Sequence, residues 1–111
     1  MQRNIVELRS RHEFRRILST EQVVFLFKHS TRCGTSAMAL SEFQRFSHHA
    51  PDSALAYIDV IASLALSNLV AEETGIQHQS PQCLLFRDGK VVWSASHRAI
   101  TQSALISALE R

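Results

Sequence analysis

Continuous apolar runs alternate along the chain with stretches in which apolar residues return at helical spacing. The run at 23–27, VVFLF, consists of strand-forming residues and predicts a central strand buried on both faces. Apolar runs at 54–60 and 82–86 predict two further strands, and residues 4–8 predict a short one. The Asp-Gly pair at 88–89 is typical of a hairpin turn, from which 91–93 returns as another strand.

Helices are predicted between these strands. Ser10 and Glu13 form a capping box, in which the hydroxyl caps a backbone amide and the glutamate reaches back, so a helix is expected over about 11–18. A second helix should begin near Gly34 and end near the histidines at 48–49. Gly75 suits the left-handed end of a third helix, and Thr101 should cap a fourth.

The resulting order is β-α-β-α-β-α-β-β-α, which is typical of the α/β class. Strands joined through helices should pair in parallel, and the final hairpin adds an antiparallel edge. We therefore expect a central mixed sheet of four or five strands, flanked by helices on both faces. The length of 111 residues fits a single domain that spans residues 1–111.

Composition and charge narrow the classes of function. Hydrophobic residues make up 45% and charged residues 20%, the mix of an ordinary globular protein. The net charge is only +2 and the basic residues are scattered, so no nucleic-acid binding is expected. No segment approaches the roughly 18 apolar residues of a membrane helix, so no membrane contact is expected. Charges throughout residues 1–19 argue against a signal peptide, and we expect a cytoplasmic monomer.

The chain has two cysteines, Cys33 and Cys83, at a spacing that matches no zinc motif, so no metal site is predicted. Cys33 precedes a predicted helix, where a thiolate would receive backbone amides and the positive end of the helix dipole, with Arg32 beside it. The thiolate is the form that attacks disulfides, so Cys33 is predicted to be reactive. The alternative is a buried structural cysteine. Cys83 lies in an apolar strand and is predicted to be a core residue; a resolving thiol is its alternative role.

Two segments of the chain resemble thioredoxins. Residues 23–33 resemble the strand that leads to the thioredoxin active site. Residues 80–91, SPQCLLFRDGKV, resemble the segment that carries the cis-proline, a strand, a glycine turn and a second strand. The resemblance covers nearly the whole chain and implies a thioredoxin-like fold. It also implies a cis peptide at Pro81 beside Cys33, with the backbone of Ser80 offering hydrogen bonds to a bound thiol. A plain strand-initiating proline is the alternative.

A narrower resemblance is to the monothiol bacilliredoxins, the YtxJ-like family, which is associated with the small bacterial thiol bacillithiol. It rests on four segments in the same order: KHSTRC at 28–33, SAMAL at 36–40, QSPQ at 79–82 and WSASH at 93–97. The resemblance implies that Cys33 takes bacillithiol from client proteins carrying mixed disulfides. Bacillithiol would be a co-substrate, and no tightly bound cofactor is implied. The chain departs from the family at Gly34 and Thr35, where Pro-Ile is common.

The resemblance also suggests why one thiol would act alone. Ser36 occupies the place of the second cysteine of a C-x-x-C motif, and a serine cannot resolve a mixed disulfide. A second thiol must then come from elsewhere, although Ser36 could also simply cap the helix. Phe27 stands where thioredoxins have a buried acid that assists the resolving cysteine.

The same resemblance suggests a binding groove. His97 falls where thioredoxins have a glycine that lines the substrate groove, so its imidazole could hydrogen-bond a thiol ligand; an exposed loop histidine is the alternative. Arg32 and the backbone amides of Gly34 and Thr35 are expected to receive the polar groups of the ligand.

The preferred function is monothiol thiol–disulfide exchange, and two other classes stay open. Residues 33–36, CGTS, resemble the Cys-Gly-Phe-Ser of monothiol glutaredoxins, which carry iron–sulfur clusters. Against that function, the Gly-Gly-x-Asp turn of those proteins is replaced here by Ser96-His97. The other class is a non-catalytic binding module with a thioredoxin fold.

Overall fold

The computed structural model describes residues 5–111. Within these residues the strands and helices follow the predicted order: β1 (Ile5–Glu7), α1 (Arg11–Thr20), β2 (Val23–His29), α2 (Gly34–Phe46), β3 (Ala54–Asp59), α3 (Leu64–Thr74), β4 (Gln82–Arg87), β5 (Lys90–Ser96) and α4 (Gln102–Glu110). Short 3-10 helices, Ser47–His49 and His97–Ala99, follow α2 and β5. The first residue of the strand predicted over 4–8 lies outside the described residues.

The strands form one mixed sheet in the order β1-β3-β2-β4-β5. β3 pairs in parallel with both β1 and β2, while β4 runs antiparallel to β2 and β5 antiparallel to β4. This arrangement confirms the predicted α/β class with a thioredoxin-like topology. β2 lies at the centre of the sheet, so its carboxyl end reaches the sheet edge between two neighbouring strands.

The side chains of β2 alternate between two hydrophobic cores. Phe25 and Phe27 pack in the core beneath α2 and α4, whereas Val24 and Leu26 pack in the core beneath α1 and α3. Because both faces are covered, a continuous apolar run is stable in this strand, which is why 23–27 shows no alternation of polar and apolar residues. The expected flanking of the sheet by helices on both faces is confirmed.

Local capping fixes where the helices begin. The Ser10 hydroxyl accepts a hydrogen bond from the Glu13 amide (3.2 Å), and the Thr101 hydroxyl accepts one from the Ala104 amide (3.1 Å). The Glu13 carboxylate reaches back one residue further than a capping box predicts, to the amide of Arg9 (2.7 Å). None of the helices in the described part of the chain combines the length and apolar character needed to cross a bilayer.

Candidate active site

Cys33 lies at the junction between the end of β2 and the start of α2. It occupies the N-cap position of α2, with extended backbone angles, and its carbonyl accepts the helical hydrogen bond from the Ala37 amide (3.2 Å). The side chain makes no capping hydrogen bond, is half-buried and is not in a disulfide. Because the first amides of a helix lack partners within the helix, the sulfur of Cys33 lies where a negative charge is favoured.

Open space lies beside the thiol at Gly34. A Cβ built on Gly34 would have no heavy atom within 4 Å. Steric crowding therefore does not require glycine here, and this first turn of α2 can be approached from solvent. Arg32, on the other side of Cys33, is exposed, and its backbone amide donates to the Ser30 hydroxyl (3.4 Å).

Ser36 is completely buried beneath this turn. Its hydroxyl oxygen accepts a hydrogen bond from the Ser30 amide (3.0 Å) and lies 2.8 Å from Nδ1 of His29. The alternative role of a helix cap is therefore not what Ser36 performs. Its hydroxyl instead links α2 to the loop that precedes Cys33. A neutral His29 with its proton on Nε2 would accept the hydroxyl proton of Ser36 at Nδ1, whereas the other tautomer would donate to the same oxygen.

His29 is a site residue that sequence reasoning missed. Burial is the main cause that lowers the pKa of His29, so the ring is held neutral and able to accept from Ser36. The sequence did carry a signal for this role of His29: it lies two residues after Phe27, so both side chains are on the same face of β2. Phe27 itself is fully buried and stacked on Phe43, with ring centroids 5.3 Å apart. His29 is therefore the next side chain on this face of β2 after Phe27, which stands where thioredoxins have the buried acid.

The segment before β4 meets the active-site loop at the same edge of the sheet. The Ser80–Pro81 peptide bond is cis. In the antiparallel register Lys28 pairs with Gln82, so Pro81 lies next to the end of β2 from which the Cys33 loop departs. The hydroxyl of Ser80 is buried without a hydrogen-bond partner among the described residues.

His97 is held against this segment by two hydrogen bonds. Its amide donates to the Pro81 carbonyl (3.0 Å), and its Nε2 donates to Oε1 of Gln79 (3.0 Å). The ring is thus positioned by the proline segment even though His97 is exposed. Its φ of 55° lies in the left-handed region, which glycine adopts at no cost and which costs other residues roughly 1–2 kcal/mol. This conformation fits the position at which thioredoxins have glycine.

A groove of about 340 Å³ runs between α2 and the turn after β5. It brings together two of the predicted binding residues, Thr35 and His97. Sequence reasoning missed the other members, Met38, Ala39, Glu42, Arg98, Ile100 and Thr101. They come from two segments about 60 residues apart, so local sequence patterns carried no signal that they share one groove.

Cys83 has surroundings of the opposite kind to those of Cys33. It is fully buried in the core beneath α2 and α4, opposite Phe27 in the sheet register. Burial raises the pKa of the Cys83 thiol, which stabilises the protonated, unreactive form. The structure thus places Cys83 among core residues, the role that its apolar strand predicted.

Comparison with known families agrees with this arrangement. Residues 6–105 match the family described as monothiol bacilliredoxin BrxC. The chain belongs to this family. The bacilliredoxin is also similar to a solved structure described, provisionally, as an oxidoreductase with a thioredoxin fold, with 32% identity, a TM-score of 0.90 and coverage of 96% of this chain and 94% of that one.

Two thioredoxins share the fold at lower identity. Oxidised mitochondrial thioredoxin 3 from Saccharomyces cerevisiae has 21% identity and a TM-score of 0.78, covering 96% of this chain and 93% of its own. A variant thioredoxin from Halobacterium salinarum NRC-1 has 24% identity and a TM-score of 0.78, covering 96% and 88%. These two structures show the fold, whereas the family match and the 32%-identical oxidoreductase show that the bacilliredoxin is a thiol–disulfide oxidoreductase and decide against the non-catalytic binding module.

Proposed function

We propose that this bacilliredoxin removes bacillithiol from the mixed disulfides of client proteins through Cys33 alone. The observation that carries the proposal is the pair of environments around Ser36 and Cys83. The position of a resolving cysteine holds a buried hydroxyl, and the second thiol of the chain is sealed in the core. Among the described residues no other thiol can therefore clear Cys33, so the resolving thiol must come from solution.

The reaction consists of two exchanges. The Cys33 thiolate attacks the bacillithiol sulfur of the mixed disulfide, and the client cysteine leaves as a thiolate that takes up a proton from water. Cys33 then carries bacillithiol in a disulfide. A second bacillithiol, as its thiolate, attacks the sulfur of the bound one, which frees Cys33 and forms bacillithiol disulfide. Overall the client sulfur is reduced from the disulfide to the thiol level and the second bacillithiol is oxidised from the thiol to the disulfide level, so no other oxidant or reductant is needed.

The groove between α2 and the turn after β5 combines apolar side chains and Glu42 with a few groups that can receive a carboxylate-bearing ligand. Bacillithiol joins cysteine to glucosamine and malate, so it carries carboxylates and hydroxyls. Arg98 in the groove and Arg32 beside the thiol can pair with carboxylates, and the free amides of Gly34 and Thr35 add donors at the helix start. The imidazole of His97 completes the wall that faces α2. The proposal places the protein in the cytoplasm, because resolution requires a pool of reduced small thiol.

The test offers one client protein loaded in parallel with bacillithiol, glutathione or coenzyme A. We expect the fastest release from the bacillithiol adduct, with Cys33 recovered as its bacillithiol disulfide by intact mass. Equal rates for the three adducts, or no release of bacillithiol, would contradict the specific proposal and leave general monothiol exchange standing.

Variants of His97 test the groove. His97→Gly removes the imidazole at a position whose backbone favours glycine, and His97→Ala removes it while keeping the left-handed strain. Both lose the hydrogen bond to Gln79 and should slow release of bacillithiol, and because glycine also relieves the left-handed strain, His97→Gly should melt at a higher temperature than His97→Ala. His12→Ala, at an exposed position on α1, is the matched control and should change neither quantity. Wild-type kinetics in both His97 variants would remove the residue from the proposed site.

A further inference from the structure

A lysine is buried in the interior on the side of β2 that faces α1 and α3. Lys28 has 0% of its surface exposed. Its ammonium group donates to the carbonyl of Ser67 in α3 (3.0 Å) and to Nδ1 of His78 (3.2 Å). The Ser67 hydroxyl also lies 3.2 Å from the same Nδ1. No Asp or Glu among residues 5–111 forms an ion pair with Lys28.

Burial of the Lys28 ammonium group disfavours the folded state. A buried ammonium without a carboxylate loses its hydration and gains only neutral partners, at an effective cost of several kcal/mol. Burial lowers the pKa of Lys28 to about 8. The adjacent core is apolar, with Leu26, Ile58 and Leu84 among its members, so a methionine could fill the same space without this cost.

The partners of Lys28 belong to the segment that leads into the active site. Residues 75–80, between α3 and β4, form neither helix nor strand, so side-chain contacts must fix their course. Nδ1 of His78 accepts from the Lys28 ammonium group and lies near the Ser67 hydroxyl, and the Gln77 carbonyl accepts from Nε2 of Gln82 (3.0 Å). Lys28 and Gln82 are direct cross-strand neighbours. The segment is thus tied to β2, α3 and β4 by polar contacts at its centre.

The same segment holds the groove histidine. Gln79, the residue after His78, accepts from Nε2 of His97, and Pro81 accepts from its amide. Displacement of His78 would therefore move both acceptors that position His97. A continuous line of contacts runs from the buried ammonium group to the wall of the groove.

We propose that Lys28 is a positioning residue, which acts through His78 to hold the cis-proline segment and His97 in place beside Cys33. The inference rests on thiol exchange at Cys33, and it is independent of which small thiol is exchanged. A neutral His78 is required as acceptor; burial and the neighbouring Lys28 both lower its pKa and so keep it neutral. In this proposal the groove residues contact the bound ligand, and Lys28 acts only through the segment that positions them.

The test replaces Lys28 by an apolar residue of similar length, Lys28→Met, and separates positioning from reactivity. Mixed-disulfide exchange should fall about 10- to 100-fold, mainly through KM, as expected when a binding wall is displaced. Alkylation of Cys33 by iodoacetamide, which needs no groove, should stay within about twofold of wild type. Amide hydrogen exchange should show lost protection at His97, whose bond to Pro81 depends on the segment.

A second set of variants applies even where Lys28→Met fails to fold, because His78 is only half-buried. His78→Asn keeps an acceptor near the position of Nδ1 and should retain most of the exchange activity, whereas His78→Leu should lose it to the extent of Lys28→Met. Ser67→Ala keeps the carbonyl that Lys28 uses and is the matched control, with a smaller loss expected.

Wild-type KM and kcat in Lys28→Met would overturn the inference. So would an equal loss of alkylation and exchange, which would indicate a general disturbance of the site. The hydrogen-exchange measurement at His97 uses no thiol substrate, so it decides the inference even if bacillithiol proves not to be the ligand. Unchanged protection of the His97 amide in both Lys28→Met and His78→Leu would also contradict it.

Discussion

The two cysteines of this chain have the same side chain and opposite environments. Cys33 stands at the first turn of α2, half-buried, with its sulfur free of side-chain caps and beside open space at Gly34. Cys83 points into the core from the middle of the sheet, with no exposed surface. These positions predict opposite reactivities, because Cys33 can be reached at the start of a helix whereas burial in an apolar core stabilises the protonated form of Cys83.

The comparison also indicates why the proposed reaction requires an external thiol. Phe27 and Cys83 are direct neighbours in the sheet, and both are buried in the core that α2 covers. Among the described residues, the hydroxyl of Ser36 occupies the position of a resolving thiol, and it is fixed by contacts with His29 and Ser30. The different exposure of the two thiols thus depends on the layers of the fold and not on their spacing in sequence.

The largest expected effect is on catalysis. Cys33→Ser should reduce thiol–disulfide exchange to the uncatalysed background, because a hydroxyl does not attack a disulfide. Cys83→Ala should retain exchange close to the wild-type rate. The measurement is release of the small thiol from a mixed disulfide. Substantial activity in Cys33→Ser would contradict the assignment of the nucleophile.

Alkylation of the folded protein should distinguish the thiols by several orders of magnitude. Cys83 can react only after opening of the core, and domain stabilities of about 5–15 kcal/mol make such openings rare. Mass spectrometry of the two single-cysteine variants should show rapid labelling at Cys33 and slow labelling at Cys83. Addition of denaturant should bring the two rates together. Comparable rates in native buffer would show that the core is not closed around Cys83.

Restoring a second thiol should convert the site into a dithiol centre. In Ser36→Cys, oxidation should remove two hydrogens from the intact mass, because the new sulfur lies one helical turn beneath Cys33. His29 Nδ1 is already placed to accept its proton, so the double variant Ser36→Cys/His29→Ala should close the disulfide more slowly. Ser36→Ala is the control without a thiol. Persistence of a mixed disulfide with added small thiol would count against this geometry.

Serine substitutions should differ in their effect on stability. Cys83→Ser buries a hydroxyl among apolar side chains and should lower the free energy of unfolding by about 1–3 kcal/mol. Cys33→Ser should not lower it, because a serine at the N-cap of α2 supplies a capping hydroxyl that stabilises a helix by about 1 kcal/mol. Denaturant titrations measure both values. Equal losses in the two variants would indicate that Cys33 also has a packing role.

The smallest effect is on alkaline stability. Because burial raises the pKa of Cys83, the folded state keeps a proton that the unfolded state releases above 9.0. The free energy of unfolding should therefore fall as pH rises above 9.0, and Cys83→Ala should lack this slope. Lys28 contributes the opposite slope, since its pKa is lowered from 10.5 to about 8. The quantity to measure is thus the difference between variant and wild type, and a difference independent of pH would refute the prediction.

The sequence alone determined the order of the elements and the fold class, and it predicted Cys33 as the nucleophile. The features that define the elements act over only a few residues: apolar runs, the capping box at Ser10 and the left-handed glycine at Gly75. Local sequence is therefore enough to predict them. The matching motifs also indicated a monothiol family, and the structure agrees with the serine in place of a second cysteine. The roles of the predicted binding residues stay predictions until ligands are tested.

Only the tertiary structure decided what surrounds the thiol. The bond between His29 and Ser36 depends on how α2 folds back over the end of β2. The partners of Lys28 are 39 and 50 residues away, in α3 and in the segment before β4. Separations of this size are set by the register of the sheet and the packing of helices on it, and local periodicity carries no information about them. A lysine within an apolar strand therefore looks unremarkable in sequence, and its burial becomes visible only when three distant segments are brought together.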